Sequence, residues 1–210
     1  MSNFDLISKV IVDAASLRNC GIQLAHEFHL PDCARFNNVS IDCAVNDCIL
    51  NFEKDTEKLV VLTANFGNDS YKSYSESWEK LGYKPIQIDY RHVANPGKYV
   101  SGVSPIGEEV SSLSPIISYM MGAIVHDAIT IEPIPQIKKI IIVSHSFDLH
   151  VPVMDMLNRG FEVCLVYFKQ YIDHRWFLLE HDNFKIVGIC NHISDATNIY
   201  PTKIEQYDLI

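Results

Sequence analysis

Residues 139–168 read KIIIVSHSFDLHVPVMDMLNRGFEVCLVYF, and this stretch decides the fold. Lys139 to Val143 is a continuous β-branched run with no polar alternation, the pattern of a strand covered on both faces. Ser144 to His150 is a polar turn, Val151 to Asn158 is helical, and Gly160 supplies the stop. Glu162 to Phe168 is a second buried strand. Strand, turn, helix, glycine and strand in this order make a βαβ unit, which implies a parallel sheet.

The same alternation extends on either side. Ile7 to Val12 is a first strand, ending in Asp13. An irregular region with some helix covers Ser16 to Leu30, and Pro31 with the Asn37-Asn38 pair marks a loop. Ser40 caps a helix to Phe52, placing Ile41, Val45, Cys48, Ile49 and Phe52 on one face. Leu59 to Thr63 is a buried strand, Tyr71 to Leu81 a helix ending at Gly82, and Lys84 to Tyr90 a further strand. Arg91 to Ser111 contains Pro96, Gly97, Gly102, Pro105 and Gly107 and is expected to be a long loop over the site. A helix follows from Leu113 to Ile129, and Phe184 to Ile189 forms the last strand. The expected fold is α/β, a doubly wound, mostly parallel sheet flanked by helices in three layers. Residues 1–190 form one domain and 191–210 a tail of unassigned structure. In such sheets a ligand binds beyond the carboxyl ends of the strands, where the winding reverses. That rule singles out Asp13 and the Ser144–Asp148 cluster.

Composition narrows the partners. With 48% hydrophobic and 20% charged residues in 210, the chain is globular rather than disordered. A formal net charge of −9 argues against coating nucleic acid through a general basic field. No polybasic or long apolar run suggests a membrane. The six cysteines, at 20, 33, 43, 48, 164 and 190, form no CxxC or paired Cys/His spacing, so reduced thiols and a cytoplasmic location are expected. There is no GxxxxGK[ST] and no GxGxxG after the first strand, which argues against ATP hydrolysis and dinucleotide chemistry. Ser146 between strand and helix, with Asp173 or Asp182 and His192 downstream, has the order of an esterase triad. The nucleophile elbow wants G-x-S-x-G, however, and Ser144 and Asp148 stand at the glycine places.

The segment 140–168, with its buried strand, acidic turn, helix with an early V-P, glycine and strand, resembles the NYN family of PIN-like metal-dependent ribonucleases. There the turn reads SGDSDF, and the first strand ends in an aspartate followed by a small residue and an asparagine, which VIVDAAS echoes. The resemblance implies a carboxylate cluster holding Mg²⁺ or Mn²⁺ and a water activated for phosphodiester hydrolysis. Residue by residue, Asp13 matches the first-strand acid and Asp148 the second acid of the turn. Ser146 stands in place of the turn's first acid, His145 in place of its glycine, and Ser16 in place of the asparagine. The further acid expected at the start of the preceding helix is replaced by Ser111, Ser112 and Ser114, with Glu108 and Glu109 slightly upstream. The resemblance thus offers Asp13, Asp148 and Ser146 as catalytic residues and Asp13, Asp148, Glu108 and Glu109 as metal ligands. Ser16, Ser144 and His145 would line the pocket. Hydroxyls offset little of the cost of dehydrating Mg²⁺, while His145 and His150 would suit a softer ion.

Arg91 leaves one strand beside Tyr90 and His92, and Lys169 and Arg175 follow another beside Tyr171, His174 and Trp176. Cations among aromatics suit single-stranded RNA; the plainer reading packs Trp176 and Phe177 onto the sheet. Two functions remain open: a metal-dependent ribonuclease, and a catalytically inactive domain that binds RNA or a protein partner, a second copy included.

Overall fold

The computed structural model describes residues 7–17, 56–64, 69–89, 100–103, 109–111, 113–130, 137–168, 171–195 and 198–207. Nine strands and three helices are described: β1 Ile7–Asp13, β2 Thr56–Ala64, α1 Asp69–Lys80, β3 Lys84–Asp89, β4 Val100–Val103, β5 Glu109–Ser111, α2 Ser114–Thr130, β6 Ile137–Val143, α3 His150–Asn158, β7 Glu162–Phe168, β8 Phe184–Asp195 and β9 Asn198–Tyr207. Seven of the strands form one sheet in the order β3-β2-β1-β6-β7-β8-β9. The first six run parallel, and β9 pairs antiparallel with β8 at the edge. The sheet is therefore doubly wound, as the buried strand runs imply.

The winding starts at β1, moves outward through β2 to β3, returns to β6 beside β1, and then moves the other way. Parallel crossovers are right-handed, so the connections of the two halves cover opposite faces. In agreement, α1 packs on β2 and β3, while α2 packs with α3 and reaches β1. The core is the strand interiors sealed by these helices. Val10, Ile11, Val12, Val60, Val61, Ile140, Ile141, Ile142, Val163, Leu165 and Val166 are all buried, together with Trp78, Leu113, Ile117, Met121, Val153 and Met156 from the helices.

Both glycine stops have a geometric cause. Gly82 and Gly160 have φ of 83° and 84°, a left-handed conformation in which a Cβ is unfavourable. Each lets the next residue bond back over the helix end, Tyr83 N to Trp78 O at 3.1 Å and Phe161 N to Met156 O at 3.1 Å.

Three departures from the sequence reading have local reasons. β2 begins at Thr56 rather than Leu59, because its charged entry is held by an ion pair between Lys9 and Glu57, which face each other in register at 3.0 Å. Part of the expected 91–111 loop is ordered as the β4–β5 pair, where Val100, Val103 and Val110 have strand preference. Half of the tail is β9, which extends the sheet beside a β8 that runs on to Asp195; Pro201 is tolerated there because the strand lies at an edge. The expected helix 40–52 and most of 16–30 lie outside the described residues.

A Gly160→Ala substitution meets no atom within 4 Å of the new Cβ, so its cost is the backbone conformation alone. The expected loss of stability is about 1 kcal/mol. Urea unfolding of wild type and variant checks it.

Candidate functional site

β1 and β6 are neighbours at the centre of the sheet, and Val12 pairs with Val143. Their next residues, Asp13 and Ser144, therefore leave the sheet side by side at its carboxyl edge. This is the point where the winding reverses, the place where doubly wound sheets form a ligand crevice. Asp13 is only 3% exposed and Ser144 is fully buried.

The Asp13 carboxylate accepts from a close donor at each oxygen. Ser16 N donates to Oδ1 at 2.9 Å, capping the helical turn of residues 14–17, and Ser144 Oγ donates to Oδ2 at 3.1 Å. Burial raises the Asp13 pKa above its ordinary value of 3.8. The Ser16 amide, the field of His145, the Ser144 hydroxyl and the Ala15 amide oppose that rise without cancelling it.

Hydroxyls continue from this acid into the protein. Ser146 N donates to Ser144 Oγ at 3.3 Å, and Ser146 Oγ accepts from Asp148 N at 3.3 Å and from Ser114 Oγ at 3.0 Å. Ser114 is the first residue of α2, so the helix start, the turn after β6 and the end of β1 meet through serine side chains. On the other side, the Ser16 hydroxyl bonds His145 Nδ1 at 2.5 Å and accepts from His145 N at 3.2 Å. Tyr167 on β7 donates its hydroxyl to Ser16 O at 2.6 Å, and its ring lies 5.4 Å from that of His145. Ser16, Ser144, Ser146 and His145 thus gather about Asp13 as one hydrogen-bonded set, with Ser16 and Ser146 buried and His145 half-buried.

Asp148 is different. It is exposed on the short turn Phe147–Leu149, tied to the buried set through its amide. Among the described residues no group of three or more His, Cys, Asp or Glu can hold a metal ion. Mg²⁺ and Mn²⁺ ask for several charged oxygens. Here one carboxylate is buried and engaged at both oxygens, its neighbours are neutral hydroxyls, and the other acid is at the surface. The described donor set does not fit such an ion. Glu108 and the side chain of Glu109 lie outside the described residues, though β5 carries Glu109 close in sequence to Ser114.

The third feature is a stack at the lip of the crevice. Arg175 Cζ sits 4.4 Å from the Phe147 ring centroid, and the His150 ring lies parallel to Phe147, 2° apart in plane and 4.7 Å between centroids. Asp173 locks the guanidinium through Nε at 3.0 Å and Nη2 at 2.7 Å, and accepts from Arg175 N at 3.0 Å. That pairing, first through its hydrogen bonds, holds Asp173 below the usual carboxylate range. Trp176 is buried beneath Phe147, edge-on at 5.0 Å. Of the three cations expected near the substrate, Arg175 is at this edge, whereas Arg91 and Lys169 lie outside the described residues.

Ser146 is not shaped as an esterase nucleophile. Its φ of −71° and ψ of 121° are relaxed extended backbone rather than the strained elbow, and its oxygen serves as the cap of the following turn.

The Asp13 environment sets a pH dependence. A carboxyl whose folded pKa lies above its unfolded value binds more protons when folded, so it costs stability as pH rises from the unfolded pKa to the folded one and beyond. Asp13→Asn removes the charge and keeps one oxygen to accept from Ser16 N, while its NH2 takes the place of the oxygen facing Ser144 Oγ. The variant is expected to be at least as stable as wild type at pH 7, with that advantage shrinking as pH falls from the folded pKa toward the unfolded one and gone below it. Paired urea titrations from acid to neutral pH check both the sign and the window. Comparison with protein-family models and with curated proteins returns no match, so the likeness to NYN domains rests on the motif residues alone.

Proposed function

We propose that this chain is a PIN-like domain of the NYN kind that binds RNA in its switch-point crevice without cutting it. The observation that carries this reading is the 3.0 Å contact between Ser114 and Ser146. Ser146 stands where the resemblance calls for the turn's first acid, and Ser114 is one of three serines, with Ser111 and Ser112, around the place of the further acid. Two carboxylates at that distance repel unless a cation lies between them, whereas two hydroxyls satisfy each other with none. The same substitution leaves Asp13 as a lone acid that burial drives toward its neutral form. The described crevice thus offers few of the charged oxygens that would hold a divalent ion to activate water.

What supports a retained binding role is the position of the crevice and the Arg175–Phe147–His150 stack beside it. An acidic chain has little general attraction for phosphates, so RNA would be held through its bases, and affinity would fall only shallowly with salt.

A metal-dependent ribonuclease is the second reading. It is favoured by exposed Asp148 and by β5, which brings the Glu109 backbone to within five residues of Ser114 in sequence. The two separate in one experiment with labelled single-stranded and structured RNA in Mg²⁺, Mn²⁺ or EDTA. The expected result is RNA bound and left intact under every condition. Metal-dependent cutting lost in both Asp13→Asn and Asp148→Asn would establish the ribonuclease instead.

A further inference from the structure

We infer that the guanidinium of Arg175, held over the Phe147 ring, is the seat on which one nucleobase stacks. This deepens the RNA-binding reading and rests on it.

Three observations combine. Arg175 lies 4.4 Å from the Phe147 ring centroid, while 53% of its side chain remains open to solvent. Asp173 takes two of its donors in a fork, which fixes the plane and leaves little net positive charge to attract a phosphate. The His150 ring stacks parallel on Phe147 with 4.7 Å between centroids, and its Nδ1 donates to Phe147 O at 3.0 Å, which holds the two rings together. A phosphate clamp would present a guanidinium free of an acid partner. This site presents a charge-compensated guanidinium fixed over an aromatic ring, which matches a base face.

The test is fluorescence anisotropy with a labelled single-stranded RNA and an abasic oligonucleotide of the same length, using wild type, Arg175→Lys and Arg175→Ala. Lysine keeps the charge and can keep a contact with Asp173 but has no plane. The expected result is that both variants lose affinity for base-bearing RNA by about tenfold or more, the range of one base stack. The abasic strand is expected to bind wild type weakly and to be insensitive to the substitutions. Phe147→Leu, which retains an apolar floor without a ring, should behave like Arg175→Lys. Wild-type affinity in Arg175→Lys, or equal binding of abasic and base-bearing strands, overturns the stacking seat while leaving RNA binding standing. Wild type that binds no RNA overturns both.

Discussion

The parallel pairing of β1 with β6 is the constraint on which the site depends. With Val12 opposite Val143, Asp13 and Ser144 emerge together at the carboxyl edge, and the serine hydroxyl reaches the buried carboxylate. A slip of β6 by one residue would turn Ser144 to the other face and leave Asp13 buried without it. Other contacts reinforce this register. The Ser16 amide caps Asp13 from the β1 side, and the Tyr167 hydroxyl reaches from β7 past β6 to Ser16 O. A buried acid with unmet acceptors would be costly, and these donors are what make its position tolerable.

Replacing carboxylates by hydroxyls changes what such a pocket can hold. A cluster of acids stores mutual repulsion that a divalent ion relieves. A chain of serines stores none, since each hydroxyl both donates and accepts. The Asp13–Ser144–Ser146–Ser114 connection is thus complete within the protein, and it also ties the starts of α2 and the turn before α3 to the end of β1. The same residues serve as local caps: Asp13 for the turn at 14–17 and Ser146 for the turn at Phe147–Leu149. These serines are thus part of the scaffold, and the proposed RNA-binding reading places recognition on the surface beside them.

Much of this was legible in the sequence because buried parallel strands carry their signal in every residue. KIIIV, EVCLVYF and LVVLT need no partner to be recognised, and the residues that follow them are placed by the sheet. Asp13 beside Ser144 follows from that rule. The strands that escaped notice, the entry of β2, the β4–β5 pair and β9, are short, charged or at an edge, where side-chain pattern is weak and pairing decides. Within the site, Tyr167 could not be assigned a polar role from its place in an apolar strand, because its acceptor is 151 residues away. The Asp173–Arg175 fork had a local signal, an acid two residues before an arginine, which was open to a different use as a substrate cation. The Ser114–Ser146 bond needed both the motif and the fold: the motif shows which acids are missing, and the fold shows what the replacements do.

The central claim is that this crevice is self-satisfied and requires no divalent ion. Calorimetric titration of the apo protein with Mn²⁺, run in parallel on Asp13→Asn, addresses it most directly. The account predicts no saturable one-to-one binding that differs between the two proteins. A stoichiometric site present in wild type and abolished by Asp13→Asn would contradict it.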